Sequence, residues 1–155
     1  MKISQYCNIF ILFFTIMMMT SCRVTDYGEV PTVAGFDVVY DLYLTSNTDL
    51  LTVNGSIYDP NVGYAGIIVY RVKDEGLPDD FVAFECACPH DAVSHDGVVG
   101  WERWGVTAKC GSCGSEFLLL YGGEGLPIDG NQPTDIPLRQ YETYFDGRFV
   151  TVSNK

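Results

Sequence analysis

Two short clusters of potential metal ligands constrain this sequence more than any other feature. The first cluster reads Cys86-Ala-Cys88-Pro-His90, and after nineteen intervening residues the second reads Cys110-Gly-Ser-Cys113. Each cluster is a tight turn that points its ligands the same way, at the close spacing typical of metal-binding knuckles. Two such turns can hold one metal centre between them, and the rest of the chain is then expected to be their scaffold.

The first 21 residues have the pattern of an export signal. Lys2 supplies positive charge, an apolar run extends from Ile9 to Met19, and small residues precede Cys22. The run is too short to cross a bilayer. The segment resembles a bacterial lipoprotein signal, which predicts a lipid on Cys22 and a location in the bacterial cell envelope, anchored to what we expect to be the outer membrane. The alternative is an ordinary secretory signal with an incidental cysteine.

The remaining length suits one modest domain. Residues 22–30 are expected to form the lipid anchor and a tether, and residues 31–155 the domain, with a metal-binding subdomain at about 84–122. Acidic residues outnumber Lys and Arg by 20 to 9. Nucleic acid is therefore not an expected partner, because phosphate binding needs clustered basic side chains. The acidic charge suits either solubility, which is its commoner role, or a partner protein with a basic docking surface.

From residue 30 onward the pattern indicates β-strands. In residues 36–44, acidic residues interrupt the apolar ones near a period of two, which predicts a half-exposed strand. The continuous apolar run 66–72 instead predicts a central strand covered on both faces. Residues 81–84 form another buried run that leads directly into the first cysteine cluster. The pairs Asn54-Gly55 and Asp146-Gly147 each predict a tight hairpin. We find no helical stripe of useful length after the signal.

The two clusters and their surroundings resemble the Rieske family of iron-sulfur proteins. Cys88-Pro-His90 and Cys110-Gly-Ser-Cys113-Gly-Ser-Glu-Phe are similar to the family's motifs, Cys-x-His and Cys-x-x-His-Gly-Ser-x-Tyr or Phe. The similarity covers roughly residues 64–152. It implies an all-β, antiparallel sandwich or barrel with a small metal-binding subdomain of two knuckle loops. It also implies a [2Fe-2S] cluster whose ligands are Cys88, His90, Cys110 and Cys113.

The sequence departs from the family at one ligand, because Cys113 stands where the family has its second histidine. Carried over residue by residue, the pattern gives two ligand pairs, Cys88 with Cys110 and His90 with Cys113. The added thiolate is expected to lower the reduction potential from the Rieske range of about −150 to +300 mV toward about −400 mV.

Two neighbours of the second cluster belong to the same motif. Ser115 matches the family and is expected to donate a hydrogen bond near the cluster. Phe117 replaces a tyrosine that can hydrogen-bond to a ligand sulfur, which phenylalanine cannot do.

Other ligand sets stay open. Cys86 lies two residues before Cys88, so it can replace His90 and give an all-thiolate site. Four thiolates in two knuckles also suit zinc. Outside the inner membrane the four cysteines can instead form two disulfides, and Cys110-Gly-Ser-Cys113 can be a dithiol that exchanges with partner disulfides.

The resemblance implies a membrane-anchored carrier of single electrons between partner proteins. In that function, an exposed His90 would couple electron transfer to proton uptake. One alternative is a non-redox binding or structural lipoprotein with a zinc or disulfide-stapled site, and another is a thiol-disulfide exchange protein. Independent catalysis is not expected, because no nucleophile with its base can be picked out and the chain has only 2 histidines. The second histidine, His95, is expected to be a solvated loop residue.

Overall fold

The described part of the chain contains nine β-strands and one short 3₁₀ helix. The computed structural model describes residues 30–93, 97–101, 104–120, 125–128 and 133–155. The strands are β1 (Asp37–Asp41), β2 (Ser56–Asp59), β3 (Ile67–Arg71), β4 (Phe81–Glu85), β5 (Val99–Trp101), β6 (Thr107–Cys110), β7 (Glu116–Leu118), β8 (Gln140–Phe145) and β9 (Phe149–Ser153), and the helix spans Thr45–Leu51. The predicted signal segment and Cys22 fall outside these residues.

The strands form two antiparallel sheets. The larger sheet is curled and has the order β1-β9-β8-β4-β3-β2, and the smaller has the order β5-β6-β7. This arrangement confirms the prediction of an all-β, antiparallel fold. Within the described residues, no helix combines the length and the apolar character that crossing a membrane requires.

Strands β3 and β4 separate two hydrophobic cores. Because successive side chains of a strand point to opposite faces, Ile67 and Val69 enter the first core while Ile68 and Tyr70 enter the second. All five residues of β3 are buried, so the prediction of a strand covered on both faces is confirmed. The second core also contains three of the cysteines, namely Cys86, Cys88 and Cys110.

One of the two predicted hairpins is present. Asp146-Gly147 joins β8 to β9, and the carboxylate of Asp146 accepts hydrogen bonds from the N–H groups of Arg148 and Phe149 at 2.9 and 2.7 Å. Gly147 has a φ of 102°, a conformation that favours glycine. The prediction of a hairpin at this Asp-Gly pair is therefore confirmed.

The prediction of a hairpin at Asn54-Gly55 is wrong, because the residues before it form the 3₁₀ helix rather than a strand. Leu50 is fully buried in the first core, and this contact fixes the helix against β2 and β3. The turn itself exists, since the Gly55 N–H donates to the Thr52 carbonyl at 2.9 Å. A Cβ atom at Gly55 would lie 1.7 Å from the carbonyl oxygen of Asp49, so only glycine fits against the helix.

The chain enters the described domain beside the first cysteine cluster. Val30 is buried and packs against Ala87 and Ala92, which lie on either side of Cys88 in the sequence. The guanidinium of Arg139 donates hydrogen bonds to the carbonyl oxygens of Val30 and its neighbour at 2.7 and 2.6 Å. These contacts fix the entry point of the domain to the loop that carries Cys88.

Candidate metal site

Four side chains from the two loops bring their ligand atoms into one group. They are Cys88, Asp91, Cys110 and Cys113, and their ligand atoms all lie within 4.8 Å of one another. The Sγ atoms of Cys88 and Cys113 are 3.7 Å apart, and the Sγ of Cys110 lies 4.0 Å from Oδ2 of Asp91. Only Cys113 is partly exposed, since the other three are buried. Such a group can hold a metal ion.

The first loop turns back on itself directly after Cys88. The Cys88 carbonyl accepts hydrogen bonds from the N–H groups of Asp91 and Ala92 at 3.3 and 3.0 Å, and the Cys88 N–H donates to the Gly97 carbonyl at 3.0 Å. A Cβ atom at Gly97 would lie 2.6 Å from Cβ of Asp91. The absence of a side chain at Gly97 thus allows the loop to close and to place Asp91 beside Cys88.

The second loop is the tight turn between β6 and β7. The Cys110 N–H donates to the Ser115 carbonyl at 2.8 Å, and the Gly114 N–H donates to the Cys110 carbonyl at 3.1 Å. Gly114 adopts a φ of 79°, which a larger residue rarely adopts. This turn brings Cys113 back over Cys110, so both thiols face the first loop.

Strand β5 and Val98, the residue before it, join the two loops through main-chain hydrogen bonds. The Val99 N–H donates to the Cys86 carbonyl at 2.8 Å, and the Gly111 N–H donates to the Val98 carbonyl at 3.3 Å. The two halves of the ligand group are therefore connected by backbone hydrogen bonds.

The two other motif residues lie where they can influence the thiols. The Oγ of buried Ser115 is 3.1 Å from the Sγ of Cys113, and Phe117 is fully buried in the second core. The proposed hydrogen-bonding role of Ser115 therefore has a matching contact.

The group found among the described residues does not include His90, Cys86 or His95. His90 has 45% of its side chain exposed, and its Nδ1 lies 2.8 Å from Oδ1 of Asp91, so it contacts the group through that carboxylate. Its role as a ligand stays a prediction. Cys86 is fully buried in the second core outside the group. His95 lies outside the described residues.

Burial affects the protonation of the thiols. Desolvation raises the pKa of Cys88 to about 12 and also raises the pKa of Cys113 above that of an ordinary thiol. Without a metal, these thiols are protonated at neutral pH, so an ion that binds must displace their protons. Thiol-disulfide exchange uses a cysteine with a lowered pKa, which is the opposite of the shift at Cys88 and Cys113.

The spacing of the ligand atoms fits a single tetrahedral ion. Two thiolates bound to one tetrahedral zinc ion, with Zn–S bonds of about 2.3 Å, lie about 3.8 Å apart. The sulfurs of Cys88 and Cys113 are separated by 3.7 Å. A two-iron cluster holds its ligand pairs on different metal atoms and so needs a wider separation between the pairs. The distance between these two sulfurs is therefore compatible with one shared metal ion.

A surface groove gives access to the group from one side. Its volume is about 750 Å³, and its lining includes Trp101, Thr107 and both ligands of the second loop. The ion pair between Lys109 Nζ and Glu116 Oε1, at 2.7 Å, also borders it. Because Cys113 is the only partly exposed ligand, an ion entering through this groove would meet Cys113 first.

Sequence reasoning identified three members of the group and missed Asp91. The missing signal was spacing, since Cys88-x-x-Asp91 repeats the spacing of Cys110-x-x-Cys113. The resemblance directed attention to His90 because the family places a histidine there. The loop instead leaves His90 largely at the surface and directs the next residue inward.

No protein-family model matches this chain, and no curated protein is similar enough to count as a relative. The Rieske resemblance therefore rests on the motif residues, and the metal site rests on the geometry of the four side chains.

Proposed function

We propose that this protein is a metal-binding domain in which Cys88, Asp91, Cys110 and Cys113 bind one tetrahedral ion, zinc by preference. The observation that carries the proposal is the closeness of the four ligand atoms, all within 4.8 Å of one another. Three thiolates and one carboxylate suit zinc and fill its tetrahedral shell. A filled shell leaves no position for a substrate, so the ion stabilises the two loops and the surface they form.

A second candidate is the [2Fe-2S] electron carrier implied by the Rieske resemblance. It is favoured by the motif match and by the 3.1 Å contact between Ser115 Oγ and Cys113 Sγ, which can tune a ligand sulfur. In this case His90 would replace Asp91 as a ligand, and single electrons would pass to a redox partner protein, with a basic surface complementing the acidic domain.

Both candidates include a lipid on Cys22 and a location in the cell envelope. This part of the proposal is supported by the sequence of the signal segment alone. Mass spectrometry of the protein from the membrane fraction tests it, because lipidation at Cys22 would give an acylated N-terminal peptide.

Metal analysis distinguishes the two candidates. The full chain is purified without oxygen and without added reductant, and zinc, iron, acid-labile sulfide and free thiols are assayed together with the visible absorption spectrum. One zinc per chain in colourless protein is expected for the single-ion site. Two irons and two sulfides per chain in red-brown protein would contradict it and establish the cluster. Metal-free protein with no titratable thiols would instead support the disulfide alternative.

Replacing Asp91 or His90 tests the fourth ligand. Asp91→Asn is expected to weaken zinc binding by about 100-fold, since an amide is a poor substitute for a ligand carboxylate. His90→Ala is expected to weaken it by about tenfold at most, because His90 contacts the carboxylate rather than the ion. Competition with a chromophoric chelator measures both affinities. A larger loss in His90→Ala than in Asp91→Asn would make the histidine the ligand.

A further inference from the structure

A buried carboxylate lies at the end of β4, immediately before the first cysteine cluster. Glu85 is fully buried and accepts four hydrogen bonds. Its Oε1 accepts from the N–H groups of Ala65 and Ala87 at 2.8 and 3.1 Å, and its Oε2 accepts from the N–H of Tyr64 and the hydroxyl of Tyr141 at 2.7 Å each. The carboxylate thus connects three separate segments of the chain.

This arrangement suits a side chain that only accepts hydrogen bonds. A carboxylate has only acceptor sites, and four converging donors compensate the free-energy cost of burying its charge. An amide at position 85 has one oxygen and one NH₂ group. The donors that faced the second oxygen would then face the NH₂ group and would lose their acceptor. Burial and the hydrogen bond to Glu85 raise the pKa of the Tyr141 hydroxyl, so this group stays a hydrogen-bond donor.

The contacts of Glu85 extend to the metal site through one peptide group. Ala87 directly precedes Cys88, so the hydrogen bond from its N–H fixes the backbone at the first ligand. The segment that supplies the other two N–H donors also contacts the loop, since the Gly66 carbonyl accepts from the Cys86 N–H at 2.9 Å. The space around the carboxylate is full, because a Cβ atom at Gly63 would lie 2.6 Å from its Oε2.

We propose that Glu85 is a positioning residue of the metal site, whose carboxylate holds Cys88 in its ligand position before the ion binds. This inference rests on the proposed single-ion function. Holding a ligand in place in advance reduces the ordering that binding must impose, and so increases affinity. Glu85 touches no ligand atom itself and acts through the backbone of Ala87.

Glu85→Gln in the full chain tests the inference by zinc affinity. We expect its affinity to fall by about 10- to 100-fold, the range typical of groups that orient metal ligands. Binding of Co²⁺ gives a second readout, because displacement of Cys88 changes the visible spectrum of the bound cobalt. Tyr141→Phe removes one donor and keeps the carboxylate, so it is expected to fold and to lose affinity by a smaller factor.

Asp80→Asn is the matched control at the opposite end of β4. Asp80 is also fully buried, and its Oδ2 accepts hydrogen bonds from the N–H groups of Glu75 and Gly76 at 3.0 and 2.8 Å. The same carboxylate-to-amide change there is expected to lower stability without changing zinc affinity or the cobalt spectrum.

Three results would overturn the inference. The first is equal zinc affinity in the unmodified protein and in both variants, Glu85→Gln and Tyr141→Phe. This result would overturn only the inference about Glu85 and would leave the proposed function intact. An equal loss of affinity in Asp80→Asn would also overturn it alone, since general destabilisation would then explain the effect. Failure of the unmodified protein to bind zinc would overturn the proposed function and this inference together.

Discussion

Serine in place of Cys110 is expected to lower zinc affinity by at least about 100-fold. A structural zinc site of four ligands contributes about 10–16 kcal/mol of binding free energy, so one ligand accounts for roughly 3 kcal/mol. Cys110 is almost fully buried within the ligand group, and a serine hydroxyl at neutral pH is not an effective zinc ligand. Competition with a chromophoric chelator measures the loss directly.

Cys86→Ala is the matched control for this change. Cys86 is as buried as Cys110 and belongs to the same core, but it lies outside the ligand group. Alanine there is expected to cost about 1 kcal/mol of stability through lost packing, with zinc affinity unchanged. A loss of affinity in Cys86→Ala as large as that in Cys110→Ser would make Cys86 a ligand and favour the all-thiolate site.

Removal of the metal is expected to destabilise the whole domain. At a free zinc concentration 1,000 times the dissociation constant, binding to the folded state adds about 4.1 kcal/mol to the free energy of unfolding. Urea denaturation followed by circular dichroism, with zinc or with excess chelator, measures this difference. The fluorescence of the tryptophans near the small sheet provides a second probe of the same transition.

The Cys110→Ser protein is the control for the chelator. At the same free zinc concentration, zinc is expected to stabilise it by about 1.4 kcal/mol or less, because a 100-fold weaker affinity leaves zinc at only about 10 times the dissociation constant. If the unmodified protein showed the same midpoint with zinc and with chelator, the ion would not stabilise the fold, and the structural role proposed for it would be wrong.

The sequence predicted those parts of the fold that depend on local pattern. A continuous apolar run such as that of β3 is stable only when both of its faces are buried. The pair Asp146-Gly147 strongly favours a tight turn between two strands. The helix at Thr45–Leu51 could not be predicted in this way. Its apolar end resembles a strand, and only the burial of Leu50 against the larger sheet shows otherwise.

The site shows the same division between local and long-range information. The cysteines were predictable because their spacing and chemistry identify them as potential metal ligands. The choice between His90 and Asp91 depends on which side chain the first loop turns inward. The hydrogen bonds of Gly97 to both ends of that loop decide this, and Gly97 lies well beyond the motif. The spacing Cys88-x-x-Asp91 makes Asp91 a candidate, but choosing it over His90 requires this contact from outside the cluster.

The entry point of the domain has a mechanical consequence. A pulling force applied to the chain ahead of Val30 is borne first by two hydrogen bonds from Arg139 and by the packing of Val30 on Ala87 and Ala92. The two alanines flank Cys88, so the load passes directly into the loop that carries two of the four ligands. A bound ion that connects this loop to the second one would therefore resist separation of the two loops at the point where the force reaches the domain.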